Sequence, residues 1–264
     1  MLTILFYLVF IVTVALTVLG ISLASRMRMN YKSESFTPLL YFQVFIFTFG
    51  FYGIWGQVLI RSFLAPYISD ALLTRFSAIA LLMGLPFLVF AWLMLIRFSS
   101  SITGRQNVKW FVPGFLVLNF SLLFLLGYFI AGKNESEPST LIRDYFIIMN
   151  MAYTLLSSYI IHFSGKSGAG IIEYDKKVIA LAISLIVVTQ CILLMFYKQE
   201  SWLALIFIFI FFAGNTFLPL YLSYCTILPA MTVESEKDLP FDGFCSKYEI
   251  SPRETDIVRE ICNG

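Results

Sequence analysis

The chain has 264 residues, of which 59% are hydrophobic and only 13% charged, with a net charge of +2 and a mean hydropathy of +0.85. That balance lies outside the range of soluble domains and reads as an integral membrane protein. With one histidine, no paired carboxylates in apolar segments and no nucleophile motif, it also argues against an enzyme, and no catalytic, cofactor-binding or metal-binding residue is expected.

A helix needs roughly 20 mainly apolar residues to cross a bilayer. Seven such segments follow one another at 2–25, 37–60, 76–98, 110–131, 145–163, 178–197 and 202–227. The first differs from a secretory signal because no basic residue precedes it and its apolar run exceeds the roughly 7–15 residues of a signal core. It therefore reads as a retained span. The expected fold class is all-α, a polytopic bundle of seven transmembrane helices with a short cytoplasmic C-terminal helix.

Loops rich in Lys and Arg stay on the cytoplasmic side. Those after spans one, three and five carry Arg26, Arg28 and Lys32, then Arg97, Arg105 and Lys109, then Lys166, Lys176 and Lys177. The opposite loops hold Arg61, Arg75, Lys133, Arg143 and Lys198, diluted by Glu135, Glu137 and Asp144. This bias puts the N-terminus outside and the C-terminus in the cytoplasm, and the expected location is the inner membrane of a bacterium.

Ionisable residues within spans are nearly absent, so uncharged polar residues are the better candidates for an internal site. Asn119, Asn150, Thr154, Ser157, Gln190 and Asn215 form the candidate intramembrane polar cluster. Asn150, Tyr153, Thr154 and Ser157 recur at intervals of three and four, hence on one helix face. Such residues either tie helices together or line a ligand pocket, and the first reading is the simpler one.

Gly50, Gly53 and Gly56 in the second span would line one side at spacing three and permit close helix approach. Pro219 in the seventh span cannot donate to the carbonyl of Asn215, which makes it a candidate hinge. Cys191, Cys225, Cys245 and Cys262 have no ligand spacing and read as packing residues. The stretch 127–133 has phosphate-loop spacing, but Asn134 replaces the required Ser or Thr.

After residue 228 the composition turns polar, with a juxtamembrane linker at 229–240. Helix-start chemistry follows: Ser251 as N-cap, Pro252 at the first helical position and Glu254 completing a capping box. Ile257, Val258 and Ile261 make an apolar stripe and Gly264 a stop, predicting a short amphipathic helix at 252–263.

The run Ile250-Ser251-Pro252-Arg253-Glu254, continued through Ile257-Val258-Arg259-Glu260-Ile261 to Asn263-Gly264, resembles the opening of the LuxR-type helix-turn-helix domain. In that family a hydrophobe-Thr/Ser-Pro-Arg-Glu run begins the first helix. The resemblance divides the chain into a seven-helix region (1–228), the linker (229–240) and the start of a LuxR-type domain (241–264). It implies a membrane-embedded, signal-sensing transcriptional regulator that acts through dimerisation, with an unknown ligand.

The matched positions, Ser251, Pro252, Arg253, Glu254, Ile257, Val258, Ile261 and Gly264, are structural. The family's DNA-contacting residues match no position in this chain. From Met231 onward acidic residues outnumber basic ones, the opposite of what phosphate binding requires, so DNA is expected as a partner only when the domain is completed. The bilayer is the expected partner otherwise. A small transporter or channel subunit is the alternative, although duplicated halves and midplane charge, which transporters often show, are not evident.

Overall fold

The computed structural model describes residues 2–31, 36–103, 110–132, 138–163, 173–196 and 201–223. The linker at 229–240 and the expected helix at 252–263, with all its LuxR-like positions, lie outside the described residues, as do Cys225, Cys245 and Cys262.

Among the described residues the chain is helical throughout, without strands. The helices are α1 (Leu2–Tyr31), α2 (Phe36–Phe49), a π segment (Gly50–Trp55), α3 (Gly56–Leu64), α4 (Asp70–Ile102), α5 (Phe111–Gly132), α6 (Pro138–His162), α7 (Glu173–Phe196) and α8 (Ser201–Tyr221). Prolines mark several starts: Pro38, Pro113 and Pro138 stand in first turns, where a missing N–H costs no helical bond. Asp70 opens α4, its carboxylate beside the positive end of the helix dipole.

Among the described residues six spans are long and apolar enough to cross a membrane: Ile4–Met29, Phe36–Leu64, Leu72–Ile102, Phe111–Ile130, Lys176–Phe196 and Leu203–Tyr221. Each matches an expected segment, and the protein is a membrane-spanning helical bundle. The remaining expected segment, 145–163, lies in α6, which is long enough at 25 residues but more polar than the others.

Five columns surround the centre: α2 with its continuation through the π segment and α3, then α4, α6, α7 and α8. Adjacent columns touch, and α8 returns to α2. Helix α1 packs outside against α8 and α2, while α5 packs outside against α4 and α6. The outer two are accordingly the least buried spans and present side chains such as Ile11, Val18, Val117 and Phe124 outward, as a lipid-facing surface requires.

The core is strongly aromatic. Trp55, Trp92, Phe47, Phe98, Phe211 and Phe212 are almost wholly enclosed. Trp55 receives Phe6 and Phe10 edge-on at 5.1 and 5.0 Å and donates its Nε1–H to Thr13 Oγ1 at 3.1 Å, fastening α1 to the π segment. An indole buried this way keeps its polar tip satisfied while contributing a large apolar area.

Close approach is real, but the three glycines do not share a face. A Cβ on Gly50 would meet the rings of Phe212 and Phe211, Gly53 lies against α4 at Gly84, and Gly56 meets only the Phe51 carbonyl at an ordinary 3.7 Å. The cause is the π segment between them. Its wider i→i+5 turn rotates successive residues differently from the 3.6-residue period.

Candidate functional site

The expected polar cluster divides once the helices are packed. Asn150 and Thr154 from α6, Gln190 from α7 and Asn215 from α8 line one central cavity of about 40 Å³, closed by Trp92, Ile46 and Leu218 among others. Asn119 and Ser157 lie elsewhere. Asn119 is buried on the α5–α6 seam, accepting from Tyr153 Oη at 3.0 Å and donating to the Phe115 carbonyl at 2.9 Å. The Ser157 hydroxyl is spent on the Tyr153 carbonyl of its own helix.

Helix α6 thus serves three neighbours with one polar face. Trp92 of α4 donates its Nε1–H to Asn150 Oδ1 at 3.0 Å. Tyr153 reaches α5. Ser158 donates to the Ala180 carbonyl of α7 at 2.7 Å and stands 2.8 Å from Ser184 Oγ. Each of these groups would be costly facing lipid, so turning them inward both ties the bundle together and makes a comparatively polar helix compatible with a membrane. The Trp92→Phe variant keeps most of the ring contact but removes the donor to Asn150. It should destabilise the protein by about 1 kcal/mol in a thermal or denaturant unfolding measurement.

One group in the central cavity is unsatisfied. Gln190 is 3% exposed, and its Nε2 has no hydrogen-bond partner among the described residues. The amide abuts Gly214, where an added Cβ would lie 3.5 Å from Nε2. The cavity volume exceeds the roughly 10–15 Å³ needed by one water, and its polar lining supplies partners. A bridging water in a cavity of this size would satisfy the Gln190 amide.

Pro219 stands inside α8, and the structure supplies what its missing N–H cannot. Gln43 of α2, fully buried, donates its Nε2–H to the Asn215 carbonyl at 2.9 Å. Thr216 Oγ1 shares its one proton between the Phe212 carbonyl of its own helix at 2.8 Å and the Leu16 carbonyl of α1 at 3.1 Å, a second and weaker tie. The candidate hinge is therefore stitched to α2 and α1.

Above the central cavity sits an aromatic partition. Phe49 stacks on Phe146 with centroids 5.7 Å apart and meets Phe211 edge-on at 6.0 Å. Phe211 faces the central cavity, while Phe49 and Phe146 also line a second cavity of about 150 Å³. This second cavity lies toward the end of the bundle where α3 and α7 finish and α4, α6 and α8 begin. Its walls are apolar except for Gln57, Arg61 and Arg143. Arg143 is held by Asp144, with Nε and Nη2 each 2.9 Å from Oδ1.

Sequence reasoning read Arg61 and Arg143 only as loop charges and passed over Gln43 and Trp92 as site residues. The sequence signal for Gln43 is an amide isolated within an aromatic run. No comparable signal links Arg61 to Arg143. No protein-family model, curated protein or solved structure matches the chain.

Proposed function

We propose that this chain is the membrane-embedded sensing region of a LuxR-type transcriptional regulator, with seven spans and its C-terminus in the cytoplasm of a bacterium. The observation that carries this reading is the run from Ile250 to Gly264, which resembles the start of a LuxR-type domain and follows a polytopic helical region after a short polar linker. Helix α6 counts as the seventh span. Its length is sufficient, and Asn150, Tyr153 and Ser158 have protein partners, so its average hydropathy understates its fit to lipid.

The architecture offers a route for a signal. Helix α8 lines both cavities, contributes Phe211 to the partition between them and leads toward the linker. A ligand that prefers one arrangement of the partition would shift the position of α8, and with it the pairing of two tails in a dimer. The charge bias of the loops puts the larger cavity at the outer face, away from DNA.

Fusing a complete LuxR-type DNA-binding domain after Gly264 tests this reading. Reporter transcription that depends on the membrane region, and changes with substitutions in the Phe49–Phe146–Phe211 partition, is expected. Reporter output indifferent to the membrane region, together with solute flux in reconstituted vesicles, would favour a transporter or channel subunit instead.

A further inference from the structure

The larger cavity has the size, wall chemistry and charge of a ligand site. Its volume of about 150 Å³ equals that of an engineered cavity known to admit benzene. Leu81, Leu85, Phe146, Leu194 and Phe207 supply apolar walls drawn from α4, α6, α7 and α8. An apolar body the bulk of one aromatic ring or a six-carbon chain fills it.

The polar groups select the other half of the ligand. Arg61 is exposed at the rim and has no ion-pair partner among the described residues. Arg143 brings a second guanidinium, largely offset by Asp144, so among the described residues lining or flanking the cavity the charge sums to near +1. Ala204, in the first turn of α8, also lines the cavity, and the N–H groups of that turn add to the positive potential. A cation is repelled, a dianion is undercompensated, and a monoanion matches. Guanidinium groups present paired donors suited to a carboxylate.

We propose that this cavity binds a small amphipathic carboxylate, its head at Arg61 and its ring or short acyl body among the apolar walls. The ligand body would touch Phe146 of the aromatic partition, and so reach α8 through Phe49 and Phe211. That consequence rests on the sensing reading; the binding itself does not.

The test uses the full 264-residue chain in nanodiscs of zwitterionic phosphatidylcholine, with labelled phenylacetate as the probe in equilibrium dialysis. Saturable binding is expected, weakened at least about tenfold by Arg61→Gln and retained in large part by Arg61→Lys. Phenylacetamide, the neutral analogue, should compete at least about tenfold less well, whereas Arg75→Gln, a charge change at the same end but off the cavity, should bind like the parent. Ala204→Leu, which fills the cavity without touching the charges, should abolish binding.

Equal affinity of the parent and Arg61→Gln proteins, equal competition by the amide, or no saturable binding would each overturn the proposal. So would loss of binding on adding phosphatidylglycerol to the disc, since the site would then belong to a lipid headgroup. Binding that persists while a DNA-binding-domain fusion ignores phenylacetate would sink the sensing reading and leave the site intact.

Discussion

Replacing Gln43 with leucine should destabilise the bundle by about 1–3 kcal/mol, and most of that loss should disappear when Pro219 is also replaced with alanine. In an unbroken helix the N–H of residue 219 would bond to the carbonyl of Asn215. Proline has no N–H, and the side chain of Gln43 fills the vacancy from another helix at 2.9 Å. Leucine at position 43 leaves that half-buried carbonyl without a donor. The cost is the desolvation of an orphaned acceptor rather than the modest net value of one hydrogen bond.

Two details set the size of the effect. Gln43 Oε1 has no partner, so removing it recovers part of the penalty and places the single variant in the lower half of that range. In the double variant the alanine N–H takes the Asn215 carbonyl, and both sides of the old bond become satisfied or apolar. A double-mutant cycle in mixed micelles, measured by reversible unfolding, should therefore give a coupling energy of about 1–2 kcal/mol. Additive losses would show that Gln43 and Pro219 do not form one unit. If this stitch also controls α8 as a signal element, the Pro219→Ala fusion should show altered reporter output, and unchanged output would count against the hinge.

The Gly84→Val variant should lose folded protein, with a cost of about 3 kcal/mol, the upper end of what overpacking usually costs. A Cβ at position 84 would stand 3.0 Å from the Cα of Gly53 and 3.2 Å from its nitrogen. Those neighbours are backbone atoms, which no rotamer change can move aside. Helix α4 and the π segment must separate, opening the contact that positions Phe49 and Ile54 at the larger cavity. Alanine at position 84 already produces the contact, and the two methyls of valine enlarge it. Gly114→Ala in α5 is the control, because an added Cβ there meets nothing within 4 Å. Equal folded yields of the Gly84→Val and Gly114→Ala proteins in a size-exclusion assay would refute the argument.

Much of the fold was legible because a bilayer imposes simple local requirements. A span needs length and apolarity, both one-dimensional properties, and six expected segments correspond to apolar helices of crossing length. The π segment was not legible. Its glycines share a spacing of three, but the change of helical period is settled by what packs against them.

The polar residues show the same boundary. Asn150 and Thr154 lie close together in sequence on one face of α6, and they face one cavity. Ser157 is on the same helix but satisfies its hydroxyl locally, a choice that spacing does not reveal. Asn119 faces Tyr153 because α5 packs on the outer side of α6, away from the centre.

By itself the sequence determined that this is a membrane-spanning helical protein, which of the described segments are helical, and which carbonyl Pro219 leaves open. These follow from composition, period and the missing proline N–H, all properties of the chain within a few residues. Only the tertiary structure decided that Gln43, 172 residues away, fills that opening, and that Arg61 and Arg143 share one apolar cavity. Such pairings depend on how the helix faces pack against one another, and local pattern does not encode which distant side chain arrives.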